Sequence, residues 1–170
     1  MNKAEVLKEI IEQRRSIFPK DYTDTEIAQE VIDEILHSAA LAPNHKRTKP
    51  WRFKIFKGEE KAKLASEMQA IYKATQPEQL FLEKKYNDIG FKINKADVVV
   101  SIVVNFSGMV PEWEEIAAVS MAVQNMYLTC TANNVGSYWS SPKIVDHLKD
   151  SLTIEENQKC LGLFYMGNLD

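Results

Sequence analysis

Arg14, Arg15 and Ser16 stand together where an amphipathic pattern runs out. Guanidinium forks match phosphate oxygens, and a serine hydroxyl with nearby backbone N–H groups adds further donors. Arg14 falls on the same helical face as Ile10 and Ile11, and a guanidinium on an apolar stripe needs an anion. The triplet has a second reading, in which the cations favour a helix C-terminus or reach back to solvent.

Two further groups could carry chemistry. Ala42 to Trp51 forms a loop dense in hydrogen-bonding side chains (Asn44, His45, Lys46, Arg47, Thr48, Lys49) between Pro43 and Pro50, either a binding surface or a solvated connection. Gly136 to Ser141 sets Tyr138 and Trp139 among serines after a glycine stop, where aromatics can lie against a planar ring or plug the core. No histidine, cysteine or acid stands at metal-ligand spacing around His45, and no GxGxxG, GxxxxGK[ST] or GxSxG motif occurs. Any redox chemistry must therefore be borrowed from a cofactor.

The elements that position these groups follow from periodicity. Asn2 and Glu5 form a capping box for a first helix running to about Arg14, whose apolar stripe should be buried. Thr23 and Glu26 form a second box ahead of the stripe Ile27 to Ala40, closed by Pro43. Trp51, Phe53 and Ile55 alternate as a half-buried strand, and Glu59 to about Gly90 reads as two surface helices of lid-like character. Val98 to Val104 is a central strand covered on both faces. Trp113 to Asn134 is apolar around most of its circumference, which predicts a helix buried on all sides and partly against a second subunit. Ser137 to Pro142 reads as an exposed aromatic turn, a short helix follows, and a last strand spans Cys160 to Met166. The order predicts an α+β fold, a mainly antiparallel central sheet flanked by helices, in a single domain over 1–170.

Composition narrows the class. With 170 residues and 45% hydrophobic content, the chain can bury a core without disulfides, and Cys130 and Cys160 read as small buried side chains of a reducing compartment. A formal net charge of −3 argues against a nucleic-acid partner. Val6 to Ile11 is broken by Lys8 and Glu9, so neither a signal peptide nor a membrane span is expected, and the protein is expected to be cytoplasmic.

In this order the three groups resemble the nitroreductase family, in its short single-domain branch. The carriers are Arg14, Arg15, Ser16; Ala42, Pro43, Asn44, His45 with Pro50, Trp51, Arg52, Phe53; Pro111, Glu112, Trp113, Glu114; Gln124, Asn125; and Gly136 to Ser140. The resemblance implies a homodimer with FMN at the subunit interface. It would pass hydride from NADH or NADPH through flavin N5 to a small electron-poor acceptor, nitroaromatic or quinone, by a ping-pong route. It further implies that Arg14, Arg15 and Ser16 hold the phosphate and ribityl chain, that Asn44 and His45 reach the cofactor from the partner subunit, and that Tyr138, Trp139 and Ser140 line the ring. A backbone N–H near Tyr138 or Trp139 would meet the ring, and Arg47 and Lys49 are candidates for the cation beside it. Lys49 stands where the family often has glutamine, and the chain stops at Asp170, short of the extended tail many members carry. Alternatives are a flavin-binding relative engaged in reductive dehalogenation, flavin breakdown or storage, and a non-catalytic dimerising module.

Overall fold

The computed structural model describes residues 2–170. Five α-helices and four strands follow the order α1 (Lys3–Gln13), α2 (Gln29–Ala40), β1 (Trp51–Phe56), α3 (Gly58–Thr75), α4 (Glu83–Lys95), β2 (Val98–Asn105), α5 (Glu112–Ala132), β3 (Val135–Ser140) and β4 (Gln158–Asn168). The strands form one sheet in the order β1-β2-β4-β3, with every pair antiparallel. The α+β expectation therefore holds. No helix among the described residues is long and apolar enough to cross a membrane.

Side-chain alternation on β2 divides the core in two. Val98, Val100, Ile102 and Val104 face α2 and α5, whereas Val99 and Val103 face α3 and α4. Both faces of this central strand are covered, as its apolar run, interrupted only by the buried Ser101, requires. The region expected to be surface and lid-like is instead half of the core, because Leu64, Met68 and Tyr72 of α3 and Ile93 of α4 are fully buried against the sheet. Its high charge had masked a narrow but complete apolar stripe.

Several local expectations are corrected by tertiary contacts. The first capping box forms, with Asn2 Oδ1 accepting from the N–H groups of Ala4 (2.9 Å) and Glu5 (3.0 Å). The second does not: α2 begins at Gln29 after an uncapped Ala28, and the Ile27 N–H donates to Asp97 Oδ2 at 2.8 Å. The Thr23 hydroxyl instead accepts the Thr25 N–H at 3.3 Å, within the turn ahead of the helix. The α1 stripe is not buried within this chain, since Val6, Leu7 and Ile11 are exposed and only the end of the helix approaches the core. Within the single chain α5 buries one stripe, Ala118, Val119, Ala122, Val123, Met126, Tyr127 and Cys130, and leaves Trp113 68% and Met121 40% exposed, so burial of its remaining circumference would need the expected second subunit.

The expected aromatic turn is an edge strand, β3, and its first three residues are buried. The left-handed residue after α5 is Asn134 (φ 55°). Gly136 lies within the strand, where a Cβ would stand 2.6 Å from the Tyr22 ring. A bulge in β4 leaves Leu161 without a partner between Cys160 and Gly162. Gly162 (φ 134°) is required there, because a Cβ would stand 2.2 Å from the Ser140 carbonyl oxygen. Gly162→Ala should cost about 2–3 kcal/mol, read as a lower denaturation midpoint with an unchanged slope. An unaltered midpoint would mean that β3 is not held against this bulge.

Candidate functional site

Arg14 caps α1, its N–H donating to Ile10 O at 3.0 Å. Its half-buried guanidinium lies 5.2 Å from the centre of the Tyr127 ring on α5, a cation–π geometry. Among the described residues the ion pairs are Lys8–Glu12, His45–Glu114 and Lys95–Asp24, so Arg14 meets no carboxylate. Arg15 differs: its guanidinium donates to Glu12 O (2.6 Å) and Arg14 O (2.9 Å), satisfying carbonyls at the helix end. After Ser16 the chain is tied to β3 by the Ile17 N–H, which donates to Ser137 O at 2.9 Å.

The same tyrosine reaches the third group. Tyr127 Oη accepts the Trp139 N–H at 2.7 Å, so Arg14 and β3 meet through one side chain. Burial of the aromatics alternates along the strand. Tyr138 packs between Phe18 (centroids 4.5 Å apart) and Tyr165 (5.9 Å) on the α3/α4 side. Trp139 turns to the α2/α5 side, where its indole N–H is buried without a partner. Ser140 lines a cavity of about 340 Å³ shared with Met68, Tyr72, Tyr165 and the three lysines Lys85, Lys92 and Lys143. Of Tyr138, Trp139 and Ser140, it is Ser140 that lines this cavity.

The Asn44 loop lies elsewhere. Asn44 Oδ1 accepts the Lys49 N–H (2.9 Å), its amide donates to Ala42 O (3.3 Å), and Lys46 Nζ donates to Met109 O (3.1 Å). His45 Nδ1 is 2.6 Å from Glu114 Oε2 in the first turn of α5. Lys46, Arg47 and Lys49 hold φ of 50°, 55° and 45°, a left-handed backbone that costs roughly 1–2 kcal/mol per residue and needs such tertiary ties. Glu114 and Tyr127 are both on α5, and at 1.5 Å per residue about 20 Å of helix separates them. Within one chain, then, Arg14 and β3 are brought together, and Asn44 and His45 are not.

Sequence reasoning missed Tyr127, Glu67 and the three lysines. Only Tyr127 left a signal, a hydroxyl-bearing aromatic within a small and aliphatic helix. Glu67 governs the segment after β3: Oε1 accepts the Lys149 (2.8 Å) and Asp150 (3.0 Å) N–H groups and Oε2 that of Ser151 (2.8 Å). It also lines a cavity of about 740 Å³ between α3, β1 and this segment, to which none of the predicted residues contributes. The cysteines are buried as expected, and burial pushes the Cys130 thiol up to about 12 and that of Cys160 to about 11, so both stay protonated and unreactive.

Burial pushes the Glu67 carboxyl up, but the Ser151 hydroxyl and the three N–H groups outweigh it and hold it below its ordinary 4.5. A depressed carboxyl stabilises the fold above its unfolded value, and that contribution is lost as pH falls through the folded one. Glu67→Gln should therefore lower stability by about 1–2 kcal/mol at neutral pH and flatten the decline below pH 4.5. Denaturant titrations across that range check both effects; a variant with the wild-type acid slope would discount the clasp.

Comparison with known proteins agrees with this architecture. A family model described as the nitroreductase family matches residues 11–168. The chain is 29% identical to YfhC of Bacillus subtilis (strain 168), whose name provisionally makes it an NAD(P)H nitroreductase, over 97% of this chain and 85% of that protein. Among solved structures, a nitroreductase-like family protein from Bacillus cereus has a TM-score of 0.79 at 22% identity, covering 96% of this chain and 86% of that one. The FMN-dependent nitroreductase NfnB from Mycobacterium smegmatis, in complex with NADPH, has a TM-score of 0.80 at 17% identity, covering 99% and 90%. A nitroreductase-type structure from Desulfovibrio desulfuricans, in complex with FMN, has a TM-score of 0.70 at 23% identity, covering 99% and 87%.

Proposed function

The chain belongs to the nitroreductase family, and on that premise we propose that it is an FMN-dependent NAD(P)H oxidoreductase acting on a small electron-poor acceptor, nitroaromatic or quinone in type, by a ping-pong route. FMN, when bound, supplies reversible two-electron hydride transfer at N5 between nicotinamide and acceptor. The observation that carries the reading is Arg14, half-buried, over Tyr127 and without an acid, at the edge of the strand that leads to a cavity of about 340 Å³. An anion at one end and a flat ring at the other would complete both.

The residues present fit that cofactor. Arg14 would bind the phosphate with Arg15 and Ser16 beside it, and Ser140 would face the ring. Lys85, Lys92 and Lys143 line the same cavity as Ser140, and we assign the ring-end positive charge to them in place of Arg47 and Lys49. The Trp139 N–H is held by Tyr127, and Tyr138 alternates toward the ladder with β4. Continued one step past the end of β3, the same alternation would present the Ser141 N–H as the backbone donor to the ring.

A homodimer would resolve the separation along α5. Two-fold pairing across Trp113, Met121 and the exposed α1 stripe would bring Asn44 and His45 of one chain toward Arg14 of the other, the ends of α5 being exchanged by the symmetry.

Freshly purified protein should be yellow and should bleach on addition of NADH or NADPH. Arg14→Ala should weaken FMN retention at least about tenfold, and at least one of Lys85→Ala, Lys92→Ala and Lys143→Ala should slow bleaching by about 10–100-fold. A colourless protein that ignores added FMN would sink the reading. A yellow one that turns over neither nitroaromatics nor quinones would transfer it to a flavin-binding relative with another role.

A further inference from the structure

We propose that Glu114 is a positioning residue, which fixes the imidazole of His45 so that its Nε2 is presented outward to the cofactor of a partner copy. The proposal rests on the reading that His45 reaches FMN across a dimer interface.

The sequence places three acids in the first turn of α5, Glu112, Glu114 and Glu115, where negative charge suits the helix N-terminus. The structure gives two of them specific partners. Glu115 is 1% exposed, and both its oxygens face the Ser107 N–H (3.0 and 3.3 Å), which pins the loop after β2. Lys46 Nζ bonds Met109 O in that pinned loop, so the backbone bearing His45 is anchored on one side. Glu114 Oε2 then takes His45 Nδ1 at 2.6 Å.

This pair is too open to be a stability device. The His45 side chain is 57% exposed and that of Glu114 24%, and exposed pairs contribute little to folding. Its effect is directional. A carboxylate on Nδ1 requires a proton there, which leaves Nε2 free and turns the ring's far edge away from its own chain. The ring's direction depends on its own two side-chain torsions, which the backbone leaves open and the Glu114 carboxylate fixes.

The test uses Glu114→Ala, Glu114→Gln, His45→Ala and the Glu114→Ala/His45→Ala double variant, each checked for folding by circular dichroism. His45 is one of three histidines, which makes its ring-nitrogen NMR signals assignable. In the flavin-free wild type the proton should reside on Nδ1, and Glu114→Ala should redistribute it between the nitrogens. Glu114→Ala and His45→Ala should each weaken FMN binding by about tenfold, as loss of an orienting carboxylate does elsewhere. The double variant should be no weaker than either, and Glu114→Gln, which keeps an acceptor, should recover most of the affinity. Additive losses, or glutamine no better than alanine, would overturn the positioning role. Unmoved ring-nitrogen signals in Glu114→Ala would overturn the pairing. Normal FMN binding by His45→Ala, with loss in Arg14→Ala, would overturn the cross-interface contact while sparing the cofactor reading.

Discussion

The bond from the Trp139 N–H to the Tyr127 hydroxyl is the joint on which the candidate site is built. β3 is an edge strand, and an edge N–H must find water, another strand or a side chain. Here a phenol on α5 accepts it, which sets the spacing between strand and helix. The same ring lies under Arg14, so the end of α1 is referred to the same point. Two residues earlier on that edge, Ser137 O accepts the Ile17 N–H and adds a second tie. The phosphate-binding candidate and the strand leading to the cavity are thereby held in one register.

Crowding around β3 accounts for glycines that periodicity alone leaves unexplained. The Tyr22 ring occupies the space where Cβ atoms of Gly136 and Gly167 would stand, and its hydroxyl donates to Ile17 O at 2.8 Å. Burial raises the Tyr22 hydroxyl's pKa far above its ordinary value, so it remains a donor. On the far side of the strand, the bulge at Leu161 brings Gly162 against the Ser140 carbonyl. The strand is thus clamped from the linker after α1 and from β4, and the last residue before the clamp opens is Ser140, which faces the cavity.

The geometry of α5 makes the functional reading a statement about two chains. Its N-terminal turn holds His45 and its C-terminal half holds Tyr127, about 20 Å apart along the helix, so the proposed FMN contacts are shared between two copies. Of the exposed apolar side chains, the α1 stripe, Trp113 and Met121 are those the proposed symmetric partner would cover. One cause would then account for the unpaired arginine, the apolar exposure and the distant polar loop.

Much of this architecture was legible in the residues themselves. The Asn2 and Glu5 box, the apolar run of β2 with its single Ser101, and the strand from Trp51 are local, set by side-chain shape and periodicity, and they form as read, whereas the stop after α5 falls at Asn134 and not at Gly136. The order of Arg14, the Asn44 loop and the Tyr138 strand carried the family resemblance. Long-range contacts decided the rest. Asp97 ties the chain just ahead of α2, the sheet buried α3 and α4 despite their charge, and pairing with β4 turned an apparent aromatic loop into an edge strand. Lys85, Lys92 and Lys143 join Ser140 at one cavity only because α4 and the segment after β3 pack on the same face. Local patterns express what a residue prefers, whereas partners distant in sequence depend on which surfaces the folded sheet brings into contact, and only the tertiary structure sets that.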